Sequence, residues 1–67
     1  MGETDRVIMP GVWVRYRYDA TMRLQYGYVE HVYDDNLVAV SWYLRRDLSS
    51  AFLGWLTVPL VDLEVTP

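Results

Sequence analysis

The side chain best suited to acid–base chemistry near neutral pH is His31, the only histidine in the sequence. An imidazole changes charge close to neutrality, so it can serve as a general base, a metal ligand or a pH sensor. Such a base needs a nucleophile to activate and a third group to orient it. Nothing in the sequence fixes either beside His31, and a lone strand histidine then reads as a solvated surface residue. Asp34, Asp35 and Asn36 offer oxygens to a hard cation, but calcium asks for roughly six to eight and one tight turn supplies few. The same three residues are strong hairpin-turn formers, because Asn and Asp tolerate positive φ and bond to their own backbone. Cysteine is absent, which removes disulfides and thiolate zinc sites. Glycine-rich phosphate loops, nucleophile elbows and spaced metal motifs are absent as well. The sequence reads as a non-enzyme, with no cofactor and no metal centre expected.

The aromatic residues say more. Trp13, Tyr16, Tyr18, Tyr26, Tyr28, Tyr33, Trp42, Tyr43, Phe52 and Trp55 are more large rings than a chain of 67 residues has room to bury. A domain of that size hides only about 60% of the surface its unfolded chain exposes. Exposed Trp and Tyr commonly anchor interfaces, since each buries a large area at low entropic cost. Trp13, Trp55, Tyr16, Tyr18, Tyr26, Tyr28 and Tyr43 are therefore the candidate interface or ligand-binding residues.

Charge narrows the partners. The net charge is −3, and all six basic residues are arginine. A negative domain gains little from neutralising phosphates, which argues against nucleic acid. Arg15, Arg17, Arg23, Arg45 and Arg46 can still form a local basic stripe. The apolar stretch around Ala51–Val61 is too short to cross a bilayer and contains Gly54 and Pro59. No membrane role is expected, and with no basic leader before a hydrophobic run the expected compartment is the cytoplasm.

These residues have to be held by short strands. A flexible tail is expected over residues 1–8, with Val7–Met9 a candidate lead-in strand, and a single domain over 9–67. Trp13–Tyr18 alternates cleanly, with Val12, Val14, Tyr16 and Tyr18 on one face and Trp13, Arg15 and Arg17 on the other. Asp19–Leu24 reads as a loop. Tyr26–Tyr33 is a second strand, and pointing both Val29 and Val32 inward requires a bulge near Glu30–His31. Leu37–Tyr43 follows the Asp-Asp-Asn turn, with Val38, Val40 and Trp42 facing the core. After the loop Arg45–Ser50 comes a strand over Ala51–Val58, with Leu56 and Val58 on one face and Trp55 on the other. Pro59 stops it, because proline donates nothing to a ladder. Leu60–Asp62 has room for one helical turn before a closing strand at Leu63–Val65. The expected core is Val14, Val29, Val38, Val40, Trp42, Val58, Leu60 and Leu63.

Gly11-x-x-Val14, Gly27-x-Val29, Val38-x-Val40-x-Trp42 and Val58–Pro59–Leu60 leading to Leu63–Glu64 resemble the pattern of Tudor, KOW and related small barrels over about residues 11–65. That resemblance implies an all-β, five-stranded SH3-like barrel with a short helical turn before the last strand. Val14–Arg15 and Val58–Pro59–Leu60–Val61–Asp62–Leu63–Glu64 are also similar to segments of the plasmid- and integron-borne type II dihydrofolate reductases, SH3-like barrels that assemble around a central pore. The segment lining that pore in the family falls here on Trp55–Leu56–Thr57–Val58, without its Gln and Tyr. The lysine of the family falls on Tyr16. The resemblance thus extends to fold and assembly, and stops short of the reductase site.

Three uses of the spare aromatics follow. The first is a homo-oligomer joined through Trp13 and Trp55, which would also relieve the size problem. The second is a Tudor-like groove, in which Tyr16, Tyr18 or Tyr43 with Asp19 or Asp47 holds a peptide or cationic ligand. The third is base stacking on single-stranded nucleic acid beside Arg15, Arg17 and Arg23.

Overall fold

The computed structural model describes residues 7–18 and 25–66. Of the expected tail only Val7 and Ile8 are described, and the Asp19–Leu24 loop lies outside the described residues. Among the described residues the protein is all β apart from one 3-10 turn. Its strands are β1 (Trp13–Tyr16), β2 (Tyr26–Val32), β3 (Leu37–Tyr43), β4 (Phe52–Pro59) and β5 (Leu63–Val65), with the turn at Leu60–Asp62. All ladders are antiparallel, and they run in the order β4-β3-β2-β1-β5. The ladder is open between β4 and β5, so these pairings give a five-stranded sheet without the closure that a barrel adds. Val7–Met9 forms no strand; the Met9 carbonyl accepts from the Val12 N–H and begins the turn at Pro10–Gly11.

Local chemistry accounts for the connections. Asn36 adopts φ 65, the left-handed conformation its short polar side chain tolerates, and reverses the chain between β2 and β3. The ladder between β2 and β3 shifts register between Val29 and His31, which places both Val29 and Val32 toward the core. A second shift lies opposite Trp42 and Tyr43, where β4 carries Gly54 at φ 121. Pro59 is the last residue of β4 and leads into the 3-10 turn, whose start is tied back by the Leu60 N–H donating to the Asn36 carbonyl at 2.8 Å.

The core gathers Val14, Val29, Val38, Val40, Trp42, Val58 and Leu63, with Ile8, Val12, Tyr16, Val32 and Leu60 packed around it. Gly27 makes room at its centre. A Cβ there would lie 2.5 Å from Val40 Cγ1, 3.0 Å from Trp42 Cζ3 and 3.1 Å from Val14 Cγ2. Gly27 pairs with Val14 on one side and Trp42 on the other, and Val40 with the Trp42 indole fills the space a side chain would have taken. Leu56 departs from the expected pattern. It shares the alternation of Val58 yet is 54% exposed, whereas Val58 belongs to the core.

Candidate functional site

The two candidate tryptophans have opposite fates, and pairing decides which. Trp13 stands directly across β1–β2 from Tyr28. Its ring meets Tyr28 edge to face at 5.2 Å and reaches Tyr43 at 5.9 Å, while Tyr43 meets Phe52 at 5.5 Å. A chain of rings, Tyr28–Trp13–Tyr43–Phe52, therefore crosses the outer face of the sheet. Edge-to-face pairs of this kind contribute about 0.5–1.5 kcal/mol each beyond their buried area. Trp13 lies on the face opposite Val14, as its alternation implies, and is half-buried by these neighbouring rings. Trp55 stands across from Ser41, a small residue whose hydroxyl donates to Glu30 Oε2 at 2.9 Å. Trp55 keeps 63% of its surface in solvent.

The tyrosines separate in the same way. Tyr16 packs against the core on the inner face and meets Tyr18, itself exposed, at 6.2 Å. Tyr43 belongs to the outer ring chain, so Tyr16 and Tyr43 lie on opposite sides of the sheet. Tyr26 pairs with Tyr43 and is half-buried, like Tyr28. These rings form two groups rather than one cage. Asp19 lies outside the described residues, while Asp47 sits in the loop between β3 and β4.

That loop is organised by its own polar groups. Asp47 Oδ1 accepts from the Ser49 N–H and the Ser49 hydroxyl, each at 2.9 Å. These bonds, with the charge of Arg45 added, hold the Asp47 carboxyl below the usual aspartate range. The Ser50 hydroxyl donates to the Asp47 carbonyl, and the Leu44 N–H donates to Ala51 at 3.0 Å to close the loop. Asp47 Oδ1 and the Asp47 carbonyl are thus engaged within the turn.

Two residues of the basic stripe, Arg15 and Arg17, are engaged at β5. Arg15 Nε bonds Glu64 Oε2 at 2.6 Å, across the β1–β5 ladder. Arg17 donates to the Leu63 carbonyl at 3.0 Å. His31 is exposed and stacks edge to face on Tyr33 at 4.5 Å. Among the described residues no group of three His, Cys, Asp or Glu side chains comes together, and no helix is long and apolar enough to cross a membrane.

The arrangement that remains is β4. Phe52, Leu53, Trp55 and Leu56 are all about half exposed or more, from both faces of one strand. Leu53, Gly54, Trp55 and Leu56 line a groove of about 350 Å³ with Trp42 and Gln25. The Trp42 indole N–H beside it is buried without an acceptor. The sequence signalled Trp55 through its alternation and did not single out Leu53, which lies at the β4 register shift, or Leu56, which shares the face of the buried Val58. No protein-family model matches the chain, and comparisons with curated proteins and with solved structures find no match.

Proposed function

We propose that this protein is a small non-catalytic interaction module of the SH3-like barrel type that associates with copies of itself, and that β4 is the surface it uses. The observation that carries this reading is the exposure of Phe52, Leu53, Trp55 and Leu56 along one uncharged strand. A contiguous apolar surface rimmed by polar residues marks an interaction site. At the areas typical of such side chains these four present roughly 400 Å² per copy, about half of what each partner buries in a standard interface. A self-complementary patch also suits a chain of net charge −3, because copies that meet through uncharged residues bring no like charges into contact.

The competing uses draw less support. A nucleic-acid platform needs free cations beside its rings, whereas Arg15 and Arg17 are engaged on β5. A Tudor-like groove needs rings converging on one space, whereas Tyr16 and Tyr43 lie on opposite faces. The deciding experiment is the mass in solution, by light scattering on the wild type and on Trp55→Ser. Self-association that is lost in the variant supports the proposal, and a wild type that stays monomeric removes it.

A further inference from the structure

Backbone direction along β4 determines which of its polar groups face away from β3. In an antiparallel ladder the N–H and C=O of successive residues point alternately to the two sides of the strand. The Leu60 N–H donates to the Asn36 carbonyl, and the Cα register runs on through Val38↔Val58, Val40↔Leu56 and Trp42↔Gly54. Val58 and Leu56 therefore turn their backbone groups toward β3. Trp55 and Thr57 turn theirs outward, where β4 has no neighbouring strand among the described residues. The carbonyl of Pro59 points outward too, with no N–H beside it.

The sheet's other edge is guarded. Strand β5 has only three residues, and its outward Leu63 carbonyl accepts from the Arg17 guanidinium. Strand β4 has eight residues, none of them charged. Short length, charge and covering side chains are the usual protections against strand addition. Against such addition β4 has only the terminal Pro59 and the register shift at Gly54, both outside Trp55–Thr57.

We propose that a second copy of this chain adds its own β4 antiparallel to β4, about a two-fold axis at Leu56, joining two sheets into one. The register follows from the edge. Centred on Leu56, Trp55 faces the second copy's Thr57 and Thr57 faces its Trp55, so every outward N–H and C=O of these residues is paired. Moving the axis to Thr57 sets Trp55 against Pro59 and leaves the Trp55 carbonyl without a donor. Moving it to Trp55 sets Thr57 against Leu53, at the register shift. The Leu56 axis also brings the two exposed Leu56 side chains together, beside the groove that Trp42 lines, and lays each Trp55 along the other copy's Thr57. This inference rests on the self-association proposed above and specifies its geometry.

The test is amide hydrogen exchange of the wild-type protein at roughly 10 µM and 1 mM, with mass measured at both concentrations. Association with the Trp55 and Thr57 amides slowed on the order of tenfold or more at the higher concentration is the expected result. Association with those two amides exchanging equally fast at both concentrations overturns edge pairing and leaves self-association standing. A monomer at both concentrations overturns both. Thr57→Pro supplies a second readout. It removes an outward N–H and no bond to β3, a change an edge strand tolerates, so a folded variant that is monomeric supports the pairing. A folded variant that associates as strongly as wild type contradicts it.

Discussion

Trp55 lies directly across the β3–β4 ladder from Ser41, and Ser41 offers it a hydroxyl already committed to Glu30. The indole consequently stands in solvent, whereas Trp13, opposite Tyr28, is enclosed by rings. Replacing Trp55 by Ser removes an exposed side chain and should change monomer stability by less than about 0.5 kcal/mol. The same substitution should weaken self-association at least about tenfold, since exposed tryptophans are the usual interface anchors. Denaturation in parallel with light scattering separates the two effects.

Gly27 is the residue on which the core closes. Gly27→Ala drives a methyl to 2.5 Å from Val40 Cγ1, a side chain with no exposed surface and nowhere to retreat. Overpacking of this kind costs about 2–3 kcal/mol, a fall of roughly 10–20 °C in melting temperature for a domain this small. A thermal melt of the variant checks it.

Gly54 makes a contrasting case, because no atom lies within 4 Å of where its Cβ would be. Its φ of 121 is the constraint. Gly54→Ala should cost about 1–3 kcal/mol through backbone strain alone. Chemical denaturation measures the loss, and wild-type stability in the variant would contradict a glycine requirement at the β4 register shift.

The Asp47 loop should respond to acid. Hydrogen bonds from Ser49 keep the folded carboxyl below its ordinary pKa of 3.8, so the carboxylate's contribution is complete above that value. It is lost as the pH falls through the lowered folded value. The Ser49 amide should therefore stay protected at about pH 5 and above and begin to lose protection in stronger acid. Asp47→Asn, which keeps an accepting oxygen, should abolish that pH dependence. Amide exchange of Ser49 across the acid range is the measurement.

What the sequence disclosed was local. Asn36 at the turn, the bulge between Val29 and His31, and the turn at Leu60–Asp62 follow from residue type and period-two alternation. The buried positions Val14, Val29, Val38, Val40, Trp42, Val58 and Leu63 follow from the same alternation. What depends on strand order was hidden. Trp13 and Trp55 have the same pattern in their own strands, yet Tyr28 shelters one and Ser41 leaves the other bare. Leu56 and Val58 share a face, yet only Val58 reaches far enough along β4 to be covered. Alternation assigns a side chain to a face, and the neighbouring strand determines whether that face is wet.

Whether β4 finds a second copy is tested most directly by light scattering across roughly 10 µM to 1 mM. The expected result is a rise from the monomer mass of 7.9 kDa toward about twice that value, abolished by Trp55→Ser. A mass that stays at 7.9 kDa over the whole range contradicts it.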